Sequence, residues 1–203
     1  FLTPPAPGPW AQAKALLGQL GALSDGRLTP HGAALAKLPL HPRLAHMLQI
    51  AGAQAAPLAA LLSDRDPISG GTADLSLRIR ALKGRYDGPG VANPPALDRI
   101  RAEAKRLSQG LPDAPPLSLA EQAALAYPDR IGQRRKGDAP RFVLSGGKGA
   151  VMAVGTPLAS ARLLVATDLD GDTREAQIRQ AVALSEADLR ALYAAQIETL
   201  EVC

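Results

Sequence analysis

Proline sets the segment lengths of this chain. Eighteen prolines and nineteen glycines are spread over 203 residues, and a proline inside a helix removes a donor and clashes with the turn before it. The apolar periodicity is therefore read in short pieces. Pro9 suits the first turn of a helix, where its missing N–H costs nothing. Trp10, Ala13, Leu17 and Leu20 then share one helical face, and Gly21 is placed to end it. Ser24-Asp25-Gly26 is a turn. Thr29 is a good N-cap and Pro30 a good first helical residue. That helix stops at Pro39, and Pro42 opens another with Leu44, Met47, Leu48 and Ala51 on one side. Three short helices and a turn-bearing extended piece predict a helix-turn-helix or winged-helix unit in residues 1–53.

Residues 54–126 read as helical. A piece at 57–63 ends in Asp64-Arg65-Asp66-Pro67, and Asp74 caps a helix running to about Leu82. After a Gly/Pro loop, residues 96–109 form a basic helix with Leu97, Ile100, Ala104 and Leu107 facing a core. Ser118 with Glu121 is a capping-box pattern opening a helix to Ala126. The character changes after Tyr127-Pro128. Short apolar runs at 141–145 and 150–154 flank Gly146-Gly147-Lys148-Gly149, a hairpin signature. Residues 163–166 and 176–183 read as further strands, and residues 185–200 return to helix. Strands with tight glycine turns at this spacing suggest a small barrel, an OB-like one being an option. The expected class is mainly α with a small C-terminal β part, in three units at 1–53, 54–126 and 127–203.

Most catalytic chemistry fails on its own requirements. A phosphate loop needs Gly-Lys followed by Ser or Thr, but Gly149 follows Gly147-Lys148 here. Asp168-Leu169-Asp170-Gly171-Asp172 starts like a calcium loop, yet Thr173 and Arg179 stand where such a loop needs Gly and Glu; an acidic turn between strands is favoured. His31, His41 and His46 lack metal-ligand spacing. The one cysteine, Cys203, permits no intrachain disulfide and suits a cytoplasmic setting. No apolar run approaches the ~18 residues of a membrane span, so a membrane is not expected as a partner. The opening Phe1-Leu2-Thr3-Pro4-Pro5 has no signal-peptide pattern and reads as the middle of a longer polypeptide.

Charge is distributed unevenly. Residues 76–106 carry net +5, residues 127–148 net +4 and residues 149–203 net −4. Two basic zones suggest a polyanion partner, against the plain alternative of solvated helix faces. The densest stretch is Tyr127-Pro128-Asp129-Arg130-Ile131-Gly132-Gln133-Arg134-Arg135-Lys136. Guanidinium forks take phosphate oxygens bidentately and an aromatic ring stacks on a base. The alternative is an exposed basic linker between a helix and a barrel.

The pattern Leu20-Gly21-Ala22-Leu23, Gly26-Arg27-Leu28-Thr29, Gly32 and Leu38-Pro39-Leu40-His41-Pro42-Arg43-Leu44-Ala45 resembles the winged-helix segment that follows the two RecA-like domains of DEAH-box helicases. It looks most like the bacterial HrpB branch. Leu61-Leu62-Ser63-Asp64-Arg65-Asp66-Pro67 resembles the start of that family's helical ratchet domain. Ala126-Tyr127-Pro128-Asp129-Arg130-Ile131-Gly132-Gln133-Arg134-Arg135 is similar to its entry into an OB-like domain. Leu144-Ser145-Gly146-Gly147-Lys148-Gly149-Ala150 is similar to its hairpin, with Gly146 where Asn is usual and Lys148 for Arg.

The resemblance covers nearly the whole chain and implies winged helix, ratchet-like bundle and OB-like barrel, in that order. It implies a non-motor, C-terminal part of an ATP-dependent RNA helicase, cut at both ends. No catalytic residue carries over and no cofactor is expected within these residues; ATP and Mg belong to the parent's motor. The implied partners are single-stranded RNA and the RecA-like motor of the same polypeptide. Arg130, Arg134, Arg135, Lys136, Tyr127 and Lys148, with Arg99, Arg101, Lys105 and Arg106 of the basic helix, are the expected strand contacts. Two other readings compete. One is a scaffold that docks the motor without touching RNA. The other is a stand-alone winged-helix DNA regulator, which would need more cations than His31 and Lys37 on residues 30–38.

Overall fold

A computed structural model of the chain describes residues 3–111, 113–171 and 175–197. Helix α1 spans Pro7–Gln19 and is followed by a two-stranded hairpin, β1 (Leu23–Ser24) with β2 (Arg27–Leu28). Asp25 and Gly26 form the turn, both at positive φ. Helix α2 (Pro30–Leu35) starts as its sequence predicts. Thr29 Oγ1 accepts from the Gly32 N–H at 2.9 Å and donates to the Gly21 carbonyl at 2.7 Å, so one hydroxyl ties the helix start to the end of α1. Gly32 is required there: a Cβ would lie 2.2 Å from the Ala22 carbonyl oxygen.

Helices α3 (Pro42–Ala51) and α4 (Ala56–Ser63) are joined by a 3-10 turn at Gly52–Ala55. Taken together, Pro42–Ser63 is 22 residues long and apolar enough by composition to cross a membrane, although Gly52 at φ 67° interrupts the helix between its two parts. Two thirds of its most apolar window is buried inside the protein, as in a core helix. Strand β3 (Ile68–Ser69) pairs with β4 (Val91–Ala92) around α5 (Leu75–Leu82). Helix α6 (Pro94–Ser108) then buries Leu97, Ile100 and Leu107, the expected face. Helix α7 (Leu119–Ala126) carries the full Ser118–Glu121 capping box.

After a 3-10 turn at Pro128–Arg130, five strands close a barrel: β5 (Ile131–Arg134), β6 (Arg141–Leu144), β7 (Gly149–Val151), β8 (Leu163–Leu169) and β9 (Glu175–Ala183). Their order around the barrel is β5-β6-β7-β9-β8. Neighbours are antiparallel except β7 and β9, which run parallel. The alternative of a linker at 131–134 is overturned. Ile131–Arg134 is a barrel strand with partners on both edges, and Gly132 is there because a Cβ would press on Leu144, Leu164 and Phe142 within 3.4 Å. Helix α8 (Glu186–Leu192) and a 3-10 turn at Ala194–Gln196 follow. Asp172 and Thr173 of the acidic turn, the end of the predicted last helix, and Cys203 lie outside the described residues.

Period-two alternation splits the barrel residues between two cores. Phe142, Leu144, Ala150, Met152, Leu164, Ala166 and Ile178 fill its inside. Val165 and Val182 face out and join a helical core built on Met47, Leu48, Leu58, Leu75, Ile100 and Ala124. That helical core runs across the expected unit boundaries at 53/54 and 126/127. A polar tie adds to it. Arg78, 3% exposed, pairs with Asp66 at 2.7 Å, and Gln180 of β9 donates to the same carboxylate at 3.0 Å. The first helix departs from expectation. None of its residues is buried, and Trp10 is 52% exposed with Lys14 over its ring. Of the four residues that periodicity placed on one face, Trp10 and Ala13 are exposed, Leu17 is half-buried and Leu20, just past the helix, is buried.

Candidate nucleic-acid interface

The predicted cations divide sharply once placed. On α6, Arg99 grips Asp64 with two hydrogen bonds of 2.7 and 3.0 Å. Arg106 grips Glu103, one turn back, with bonds of 2.7 and 2.5 Å. Arg101 donates to the Leu82 and Ala81 carbonyls at 2.8 and 3.0 Å, closing the C-terminal end of α5, and pairs with Asp98 at 2.6 Å. Lys105 is exposed and forms no ion pair among the described residues. In the second zone Arg134 donates to the Ala159 carbonyl at 3.0 Å, pinning β5 to the turn at Pro157–Ser160. Arg135 and Lys136 are exposed at the strand end.

Arg130 and Tyr127 are drawn inward, and they meet a residue that charge clustering did not single out. Arg43, near the start of α3, is only 8% exposed. Its guanidinium holds Asp129 at 2.5 and 2.9 Å and donates to the Ala126 carbonyl at 3.3 Å. The Tyr127 ring lies between two guanidinium groups, with Arg43 Cζ 5.1 Å and Arg130 Cζ 4.9 Å from its centroid, within cation–π reach. Arg130 donates to the Thr167 carbonyl at 3.3 Å and makes no ion pair among the described residues. No charge signal marks Arg43, which stands beside Leu44, Met47 and Leu48 on the face of α3 that the core takes.

The electrostatics follow this crowding. Burial and the neighbouring Arg43 charge lower the Arg130 pKa. Burial, Arg43 and Arg130 together lower that of His41. Burial pushes the Tyr127 phenol up. For Asp129, burial works to raise the value, but the Arg43 hydrogen bonds and the charges of Arg43 and Arg130 hold it below the ordinary carboxylate range.

Two openings share Arg43 and Arg130. A groove of about 680 Å³ runs between α1 and the barrel, with Gln12 and Leu16 on one wall and Gly146, Lys148 and Gly171 on the other. A second cavity, about 480 Å³, lies on the α3–α4 side, lined by Leu40, His41, Ser63 and Tyr127. Of the ten predicted residues, Tyr127, Arg130 and Lys148 border these openings.

Comparison with known proteins bears on this arrangement. No protein-family model matches the chain. The ATP-dependent RNA helicase HrpB of Escherichia coli (strain K12) is 34% identical over 160 residues, which is 76% of this chain and 18% of that protein. The chain is homologous to HrpB. A crystal structure of the E. coli DExH-box NTPase HrpB superposes with a TM-score of 0.73 at 30% identity, covering 97% of this chain and 23% of that one. A second, of the E. coli DEAH/RHA helicase HrpB, gives 0.69 at 29%, covering 92% and 23%. The chain thus spans less than a quarter of the relatives it matches, and it fits a C-terminal accessory region of an HrpB-type helicase. The mixture of helices and a small barrel agrees with that assignment.

Proposed function

We propose that this chain is the non-motor, nucleic-acid-gripping part of an ATP-dependent RNA helicase acting in the bacterial cytoplasm. In this reading residues 1–53 form a winged-helix unit, 54–126 a ratchet-like bundle and 127–203 an OB-like barrel. The OB-like label is supported by the five-stranded closure through a parallel β7–β9 pair. The carrying observation is the groove between α1 and the barrel. Arg130, which has no ion-pair partner among the described residues, and Lys148 line it together; of the two carboxylates that also line it, Asp129 is already engaged by Arg43 and Asp170 accepts from the Gln177 N–H. Cations lining a groove bind a phosphate backbone without reading its sequence.

The test is the salt dependence of single-stranded oligoribonucleotide binding to this chain, followed by fluorescence anisotropy. On single strands, log K falls against log salt with a slope of about −0.7 per neutralised phosphate. Replacing Arg130 by Gln and Lys148 by Glu together should flatten that slope by about 1.4. An unchanged slope would remove the groove from the strand path.

The scaffold reading keeps support from one observation. Trp10 at 52% exposure and Leu28 at 62% leave an apolar surface on the N-terminal unit. The motor of the same polypeptide is the partner we assign to it.

A further inference from the structure

We propose that the cavity between α3, α4 and residues 127–130 is a binding site for one phosphate oxyanion, with Arg130 and His41 as its donors. This deepens the nucleic-acid reading and rests on it for the source of the phosphate. The groove along the barrel lies on the other side of the same two arginines.

Arg130 has unsatisfied donor capacity. A guanidinium carries five N–H donors in a rigid fork. Arg43 uses its fork on Asp129 and the Ala126 carbonyl. Arg130 has one hydrogen bond, a 3.3 Å contact to the Thr167 carbonyl, and packs its face on Tyr127. It is half-buried, so water satisfies only part of what remains. Partly buried cations are ordinarily paired. A bidentate oxyanion is the ligand that fits an open fork.

Two guanidinium groups flank one ring. The adjacent carboxylate, Asp129, is held on both oxygens by Arg43. Asp168, exposed on the barrel, acts on both Tyr127 and Arg130 through its charge but makes no ion pair with Arg130, and it lines a different cavity, with Asp66 and Gln180. The α3–α4 cavity itself is lined by no carboxylate. Burial is the larger cause of the lowered His41 and Arg130 values, and the Arg43 charge adds to it at both.

His41 supplies a second donor. His41 Nδ1 accepts the Arg43 backbone N–H at 3.3 Å as the N-cap of α3. The neutral ring therefore carries its proton on Nε2, and the ring lines the cavity. A neutral His donor and an Arg fork can share one phosphate without a further buried charge. At about 480 Å³ the cavity has room for a phosphate with its attached sugar.

The experiment titrates the chain with inorganic phosphate and, separately, with a single-stranded oligoribonucleotide, following the His41 ring and Arg130 side-chain NMR signals. Both signals should move saturably with phosphate. Arg130→Gln should weaken binding roughly tenfold to a hundredfold, the loss expected for a charge-assisted hydrogen bond. Ser63 is exposed on the cavity rim. Ser63→Glu, which alters no buried side chain, should compete for the same donors and block phosphate equally; it keeps the test meaningful if Arg130→Gln perturbs folding. Signals that stay in place, or phosphate binding untouched by Ser63→Glu, would overturn the site. If the oligoribonucleotide moves the same signals and Ser63→Glu weakens its affinity, the source is the strand backbone. If phosphate saturates these residues and the oligoribonucleotide does not bind, the site stands with free phosphate as its ligand and the nucleic-acid reading falls. If Ser63→Glu leaves RNA affinity intact while Lys148→Glu lowers it, a strand source for this site is overturned and the groove stands.

Discussion

Helix α6 and the segment 127–148 carry the same kind of sequence, arginine-dense and net positive, and the fold uses them in opposite ways. On α6 the forks are closed locally. Arg101 and Arg106 meet acids three residues earlier on their own helix, and Arg99 meets Asp64 from the end of α4. In the second segment Arg130 packs against Tyr127 and makes no ion pair among the described residues, the neighbouring Asp129 being held by Arg43. Net charge counted along a sequence does not distinguish these cases. What decides is whether each cation has an acid at helical spacing or across a packed interface.

The junction side of that comparison can be broken most violently at Arg43. Arg43→Ala would leave Asp129 half-buried without its partner and Tyr127 without one of its flanking cations. Removing one partner of a buried pair costs about 3–5 kcal/mol, and the expected result is a large fall in denaturation midpoint. A loss no greater than that of an exposed pair would mean the junction is solvated like α6.

Strand affinity separates the two zones next. Lys148→Glu on the barrel hairpin should lower oligoribonucleotide affinity by roughly tenfold, about 1.4 kcal/mol. The matching reversal Arg106→Glu on α6 should change it far less, since the Arg106 fork is already closed on Glu103. Equal losses would erase the distinction.

Acid titration gives a smaller contrast. Asp129 has its folded pKa held below the ordinary 3.8, with burial opposing and the Arg43 fork and nearby positive charge prevailing. The sign follows. The unfolded chain binds the proton first as pH falls, so the contribution to stability is complete above about pH 4 and is lost as pH drops through the folded value. Asp129→Asn should flatten the acid limb of a stability–pH curve. An acid limb unchanged by that substitution would show that the clamp is not ionised in the native protein.

Much of the fold was legible because its signals are local. Thr29-Pro30 and Ser118 with Glu121 define helix starts through their own side chains, and Gly146-Gly147 between two apolar runs defines a hairpin. The strand Ile131–Arg134 was hidden because half its residues serve the barrel through smallness or edge hydrogen bonds rather than hydrophobicity. Gly132 marks the barrel's tightest point and reads in sequence like a turn. The Trp10 face shows the converse: periodicity finds the apolar side of the helix, and the fold covers only its Leu17–Leu20 end, leaving Trp10 exposed. Of the candidate site, Tyr127, Arg130 and Lys148 were visible by charge and aromatic character. Arg43 was masked by its apolar neighbours, since its role comes from an aspartate 86 residues away.

The mildest prediction is the one that tests the α6 half of the comparison by itself. Arg99 and Arg106 are more than half exposed, and their forks close over carboxylates in contact with solvent. The hydrogen bonds lower the Asp64 and Glu103 values and raise those of the two arginines, yet these shifts arise where water and salt screen the charges. Arg99→Gln and Arg106→Gln together should therefore leave the thermal midpoint within error of the parent. Oligoribonucleotide affinity and its salt slope should likewise be unmoved, because forks already occupied by Asp64 and Glu103 release few counterions on binding a strand. If the double variant flattens the salt slope by about 1.4, as two free phosphate contacts would, then the strand displaces those acids. Helix α6 would then belong to the binding surface as fully as the barrel hairpin does.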